Sequence, residues 1–329
     1  MRVFAADAAE YRDQYARQGW IHIRGGLDPD FLSSVQDHMR TTLTGDRLGA
    51  FAIKGKKGQA IYDFSGEVDF PGEIFDFVAT LCGLDRERIT LSERHIQAYD
   101  EHADPEPPAH KDRFPSQVSV GLSIDIPAAS RLVLYPDGQR AVNPFNSAAD
   151  HYHSLQPEER PEVVLAGEEA VEIDDEPGDV VAFPGSTTWH LRRNSAGAVN
   201  IYLKLNDFDC DPLGVDPETP VRRQRTRALL DAGDHGALER SRAVLSRRLD
   251  FVGRHYSRNG WQETLQARLW GSEAFGITPE QFELIKAIDG GRPLSSLVDD
   301  VTAGRRRSRE AVERDLMVLA ERGAIDLLS

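Results

Sequence analysis

Ten histidines stand in this chain, and two of them open an H-x-D triplet: His102-Ala103-Asp104 and His110-Lys111-Asp112. With 54 acids among 329 residues, one or two H-x-[D/E] triplets arise among ten histidines by chance, so context has to separate them. His102 lies in DEHADPEPP, whose prolines and charges describe a loop. His110 leads instead into QVSVGLSIDI, the most strand-like stretch of the chain. In extended backbone the side chains at i and i+2 share a face, so His110 and Asp112 offer one imidazole and one carboxylate to a single metal. EPGDVVAFPGSTTWHLRRN supplies a third ligand: a Pro-Gly-Asp turn, a strand over 180–183, a bend at Pro184-Gly185, then His190. Two histidines and one carboxylate on one face of a metal leave three positions open, room for a bidentate co-substrate and O2 together.

Such ligands need a β framework to converge. Short β-rich runs at 94–99, 117–126, 131–135, 170–174, 179–183, 188–193 and 198–206 alternate with turn signals, the pattern of a sandwich or barrel. Ahead of them the sequence predicts a helix at 6–18, a strand at 20–24, and a helix at 30–43 opened by Asp28-Pro29-Asp30. Residues 136–169, rich in Pro, Glu and Ala, read as an insertion. After Asp207 the Pro-rich FDCDPLGVDPETP reads as a linker. From 221 to 258, Leu229, Leu230, Leu238, Val244, Leu245, Leu249 and Val252 recur at three- to four-residue spacings and predict helices. The last fifty residues predict three helices and a terminal strand, a winged-helix pattern. The expected divisions are 1–210, an α+β catalytic domain; 218–275, a helical segment that could serve dimerisation; and 277–329, the winged helix.

The H-x-D pair, the 80-residue gap and the PGD-strand-turn-His sequence resemble the Fe(II)/2-oxoglutarate-dependent oxygenases of double-stranded β-helix (jelly-roll, cupin) fold, over roughly 90–207. The opening helix and GWIHIRGGLDPDFL are similar to phytanoyl-CoA-hydroxylase-like members, whereas ASRLVLYPDGQ, PGDVVAFP and the tail look more like JmjC/cupin-type protein hydroxylases. The resemblance implies Fe(II), 2-oxoglutarate and O2 as metal and co-substrates. His110, Asp112 and His190 would ligate the metal, and the retained Asp112 implies hydroxylation rather than halogenation. It also implies a cation for the far carboxylate of 2-oxoglutarate. On VNIYLKLN the polar positions Asn200, Tyr202, Lys204 and Asn206 alternate with apolar ones. Lys204 is the preferred anchor and Arg131 its rival, with Asn200, Tyr202, Gln97 and Tyr99 adding hydrogen bonds. The tail resembles PqqD-like peptide-binding winged helices.

Blander readings hold elsewhere. His151-Tyr152-His153 sits among loop signals and reads as a solvated or lid element. Lys54, Lys56 and Lys57 read as a solvated Gly-rich loop, and Trp189 and Phe183 as core. Cys82 and Cys210 are in no CxxC spacing, which excludes a cysteine zinc site and suits a reducing cytoplasm. No run of some 18 apolar residues occurs, so neither a membrane span nor a secretory signal is expected. The formal charge is −15. Residues 217–276 hold eleven Arg against seven acids and 277–329 eight basic against ten acidic residues, so 1–216 carries −17. That balance makes nucleic acid an unlikely partner, despite Arg305-Arg306-Arg307, and favours a neutral or cationic amino-acid or peptide substrate. The competing functions are a small-molecule tailoring oxygenase and a metal-binding cupin regulator with a DNA-reading tail.

Overall fold

Strand alternation decides the layers of the first unit. The computed structural model describes residues 1–42, 57–66, 68–303 and 307–329, in two compact units, Met1–Asp209 and Cys210–Ser329. The first opens with α1 (Ala8–Gln18), β1 (Ile21–Ile23), α2 (Pro29–Thr42), β2 (Lys57–Ile61) and α3 (Phe70–Cys82). Then come β3 (Thr90–Tyr99), β4 (Val118–Asp125), β5 (Arg131–Tyr135), β6 (Val171–Ile173), β7 (Val180–Phe183), β8 (Trp189–Arg193) and β9 (Val199–Asn206). The insertion between β5 and β6 carries α4 (Ala148–Ser154) and α5 (Pro161–Val164).

Two antiparallel sheets result: a larger one in the order β1-β7-β4-β9-β3-β2, and a smaller one in the order β6-β5-β8, which a bridge between His110 and His190 extends. From β4 to β9 the chain thus visits the sheets in the order large, small, small, large, small, large, the winding of a double-stranded β-helix. Along β4 and β9 one set of side chains, Val120, Leu122, Ile124, Ile201, Leu203 and Leu205, joins the core made with Phe4, Phe31, Val35, Ile74 and Phe77 of the N-terminal segment. The other set is polar. Registers stack it in layers: Glu93–Lys204–Ser119, then His95–Tyr202–Gly121, then Gln97–Asn200–Ser123. The unit therefore buries its apolar face under helices and keeps a polar face for the space between its sheets. A smaller cluster, Leu132, Leu134, Ile173, Val181 and Phe183, closes part of that space.

The second unit corrects the helical reading of 218–275. Helices α6 (Glu218–Ala232) and α7 (His235–Arg240) form, but from Arg242 the chain is β: β10 (Arg242–Leu245), β11 (Leu249–Tyr256), β12 (Glu263–Leu269) and β13 (Phe275–Ile277). Apolar residues at three- to four-residue spacing also fit strands that alternate imperfectly. The local signal against helix is Asn259-Gly260, with Gly260 at φ 101°, in the loop between β11 and β12. Nor are 218–275 and 277–329 separate, since Ala243, Leu265 and Ala267 share one core with Leu284, Leu297, Leu316 and Leu319. The three expected C-terminal helices are α8 (Pro279–Ala287), α9 (Leu294–Thr302) and α10 (Arg309–Glu321), followed by β14 (Ile325–Leu328). β14 pairs with β10. On its other side the Leu327 N–H donates to Thr226 Oγ1 at 2.9 Å and Arg223 donates to the Ile325 carbonyl at 3.3 Å, so α6 seals that edge. Among the described residues no helix is long and apolar enough to cross a membrane.

Candidate metal centre

The site begins with a β-bridge. His110 and His190 each donate a backbone N–H to the other's carbonyl at 2.9 Å, which sets their side chains on one side with ring centroids 4.4 Å apart. Two residues on, the Asp112 N–H donates to the Gly185 carbonyl at 2.9 Å, so Asp112 follows on the same face. His110, Asp112 and His190 each offer a ligand atom, all within 4.8 Å of one another. The group runs from solvent inward: His110 is exposed, Asp112 half-buried and His190 buried. His190 Nδ1 lies 3.0 Å from the Thr188 carbonyl, which holds the proton on that nitrogen and turns the Nε2 lone pair toward Asp112, 3.7 Å away. Two imidazoles and a carboxylate with that tautomer set fit a divalent first-row metal and leave half its coordination sphere open.

Asp112 is held from three directions. Ser119 Oγ donates to Oδ2 at 2.6 Å, the Lys204 ammonium contacts the same oxygen, and Asn143 Nδ2 donates to the backbone carbonyl at 2.9 Å. Burial alone would raise this carboxyl, but Lys204 and the two imidazoles overcome it and hold it well below the usual carboxylate range. Lys204 in turn faces Glu93, which is paired with Arg113 and lies 2.9 Å from His95 Nδ1. Burial would raise Glu93 too; Arg113, His95 and Lys204 lower it to about 2. Arg113, Glu93, Lys204 and Asp112 thus form a chain of alternating charge, buried at Glu93 and Lys204 and half-buried at its two ends. Gly185 is required for space: a Cβ there would lie 2.0 Å from Ser119 Oγ and 2.5 Å from Asp112 Oδ2.

No family model and no curated protein matches this sequence. Solved structures do align with it. A prolyl-4-hydroxylase from Pseudomonas putida is 15% identical, covering 60% of this chain and 97% of its own, at TM-score 0.36. EctD from S. alaskensis with bound Fe is 11% identical, covering 63% and 81%, at TM-score 0.41. HygX from Streptomyces hygroscopicus, with nickel and 2-oxoglutarate bound, is 10% identical, covering 63% and 89%, at TM-score 0.41. The donor set described above stands on its own geometry.

The remaining residues singled out from the sequence divide sharply. Lys204, then Tyr202, then the paired Asn200 and Gln97 occupy the polar face between the sheets, in that order away from Asp112. Lys204 is engaged by Asp112 and Ser119, and its ammonium lies 5.0 Å from the Tyr202 ring centroid. Tyr99, whose phenol burial pushes well above its usual value, ends β3, with its hydroxyl 3.5 Å from Gln97 Oε1. Arg131 is not brought to the triad. It alternates with Leu132 and Leu134, which face the interior, and its guanidinium donates to the Ala128 and Ser130 carbonyls at 2.7 and 2.6 Å. His102 is solvent-exposed, and His151 stacks on Trp189 at 5.5 Å. Lys54, Lys56, Arg305 and Arg306 lie outside the described residues, as does the side chain of Lys57.

Sequence reasoning missed Arg192 and Asp175, a buried pair whose atoms approach to 2.9–3.0 Å. The signal for Arg192 was present, since it stands two residues past His190, the spacing that linked His110 to Asp112. Lys111, between two ligands, was also missed. It is buried and donates to the Gln139 and Ala141 carbonyls at 2.6 and 2.7 Å, tying the insertion to the segment that carries His110 and Asp112.

Proposed function

We propose that this chain is an Fe(II)- and 2-oxoglutarate-dependent dioxygenase that hydroxylates an amino-acid or peptidyl side chain, releasing succinate and CO2. One observation carries the reading: two imidazoles and one carboxylate on a single face, with an imidazole tautomer suited to ligation, at the mouth of a polar space between two sheets. His110, Asp112 and His190 would hold the ion; when bound it supplies O2 activation coupled to 2-oxoglutarate decarboxylation. Thr188 keeps the His190 proton on Nδ1, and Ser119 and Lys204 fix the direction of Asp112. The solvent-exposed edge at His110 is the side from which substrate approaches. The polar inner face, with Tyr202, Asn200, Gln97 and Tyr99, receives the co-substrate. The net −17 of residues 1–216 favours a neutral or cationic substrate over a phosphorylated one.

Succinate formation from 2-oxoglutarate with Fe(II) and O2 tests the reaction class. A mass gain of one oxygen on peptides but not on free metabolites supports the peptidyl reading. Absence of succinate, together with a salt-sensitive gel shift on DNA, would instead support a metal-binding regulator.

A further inference from the structure

Three phenylalanines are left partly open to solvent beside the metal ligands. Phe114, Phe145 and Phe208 are 38%, 37% and 36% exposed. Folded proteins scatter large apolar side chains singly over their surface, whereas here three distant stretches of chain bring them to one place. The Phe114 N–H donates to the Phe145 carbonyl at 2.8 Å, and the Phe114 and Phe208 rings lie 5.0 Å apart, tilted by 44°. None of the three belongs to the apolar clusters that hold the unit together, so core packing does not explain them. The same segments carry or support the ligands. Phe114 stands two residues after Asp112, about 7 Å along extended backbone. Phe145 stands two residues after Asn143, whose Oδ1 accepts the Phe145 N–H at 2.8 Å and whose Nδ2 donates to the Asp112 carbonyl at 2.9 Å. Phe208 stands two residues past Asn206, the end of β9, whose side chain donates to the Pro115 carbonyl at 3.2 Å. One ring thus comes from the ligand segment, one from the insertion between β5 and β6, and one from the chain leaving β9.

We propose that Phe114, Phe145 and Phe208 form a substrate subsite that holds an aromatic or branched aliphatic side chain beside the metal, an assignment that deepens the hydroxylase reading above and rests on it. The charged groups nearest the patch are already matched, Arg113 with Glu93 and Lys204 with Asp112, so what the rim presents to a ligand is apolar area. Asp207 and Asp209 flank Phe208 in the sequence and disfavour an anionic group there. Tilted rings accept another ring edge to face, and they accept a branched aliphatic group by area alone. Covering about half of one large side chain favours it over alanine by about fivefold. The patch therefore selects the substrate by a neighbouring apolar group, while the metal ligands decide the chemistry.

The test uses capped pentapeptides in which glycines flank a central phenylalanine, leucine, alanine or lysine. Each is titrated with the full chain loaded with Mn(II), with and without 2-oxoglutarate, and followed by the broadening of peptide proton signals, which reports both binding and closeness to the paramagnetic ion. The phenylalanine and leucine peptides are expected to bind about fivefold or more tightly than the alanine peptide. Phe145→Ser and Phe208→Ser are expected to bring that ratio toward one while the melting temperature and Mn(II) affinity stay close to wild type. Each substitution is read separately, so one folded variant suffices. Equal or no binding of the four peptides, tighter binding of lysine than of both apolar residues, or an unchanged ratio in a folded variant would overturn the assignment. So would a wild-type dimer in sedimentation that either substitution dissolves, since the patch would then be covered by a second copy. If the apolar preference holds but no succinate forms from 2-oxoglutarate with Fe(II), the subsite stands and the hydroxylase reading alone fails.

Discussion

Glu93 shows how one residue ties the site to the stability of its unit. It is buried between Arg113, His95 and Lys204, and the cations bring its carboxyl down to about 2 against a burial effect of opposite sign. A carboxyl lowered on folding stabilises the native state fully above its unfolded value near 4.5, and that stability drains as pH falls through the folded value. The shift corresponds to on the order of 3 kcal/mol. Urea unfolding of the wild type should therefore lose that much between about pH 4.5 and 2, and Glu93→Gln should flatten the slope. At neutral pH the same substitution takes their shared counter-charge from buried Lys204 and half-buried Arg113, and a loss of about 3–5 kcal/mol is expected. Equal stability of the two proteins at pH 7 would show that the chain of charges is not held as described. None of this was legible in the sequence, where Glu93 is one acid among 54, because the property lies in Lys204 and Arg113, which β9 and the segment before β4 bring beside it from far along the chain.

At the scale of elements, the turn between β7 and β8 is a second point of leverage. Gly185 leaves just the room that Ser119 Oγ and Asp112 Oδ2 occupy, so Gly185→Ala must push Asp112 aside or deform the turn. A fall in Ni(II) affinity of at least about tenfold is expected, with a far smaller effect on β-sheet content by circular dichroism. The insertion between β5 and β6 is stitched to the segment carrying His110 and Asp112 by Lys111 and by Asn143, whose side chain reaches the Asp112 and Ser147 carbonyls. Asn143→Ala should cost about 1–3 kcal/mol in chemical denaturation and weaken metal binding; no change in either would free the insertion from the site. The strand framework was legible because period-two alternation and turn residues are local signals, and the polar stripe of VNIYLKLN is the inward face of β9. The sequence also placed the H-x-D pair and His190, since i, i+2 spacing on a strand is decided by backbone geometry alone. Arg131 misled because strand parity, set by the register of β5 with β8, turns Leu132 and Leu134 inward instead. The stretch after Arg240 misled for a related reason: short apolar spacings cannot separate helix from strand without the Asn259-Gly260 turn.

At the scale of the whole chain, two units carry separate cores, one built on Phe31, Ile74, Leu122 and Leu203, the other on Leu284, Leu297, Leu316 and Leu319. Leu316 is fully buried, so Leu316→Ala should remove about 2–5 kcal/mol from the second unit. Calorimetry should then show two transitions, the lower one moved by the substitution and the other raised by Ni(II). A single transition shifted by both would contradict separate cores. The acidic excess of 1–216 runs seven residues into the second unit, which begins at Cys210.

The central claim is that His110, Asp112 and His190 gather one metal and leave room beside it for a chelating co-substrate. An anaerobic titration of the full chain with Fe(II), followed by 2-oxoglutarate and read by visible absorption, tests it most directly. One iron per chain and a charge-transfer band that grows with 2-oxoglutarate are predicted, both lost in a folded His190→Ala chain. The same iron stoichiometry and band in that variant would contradict the claim.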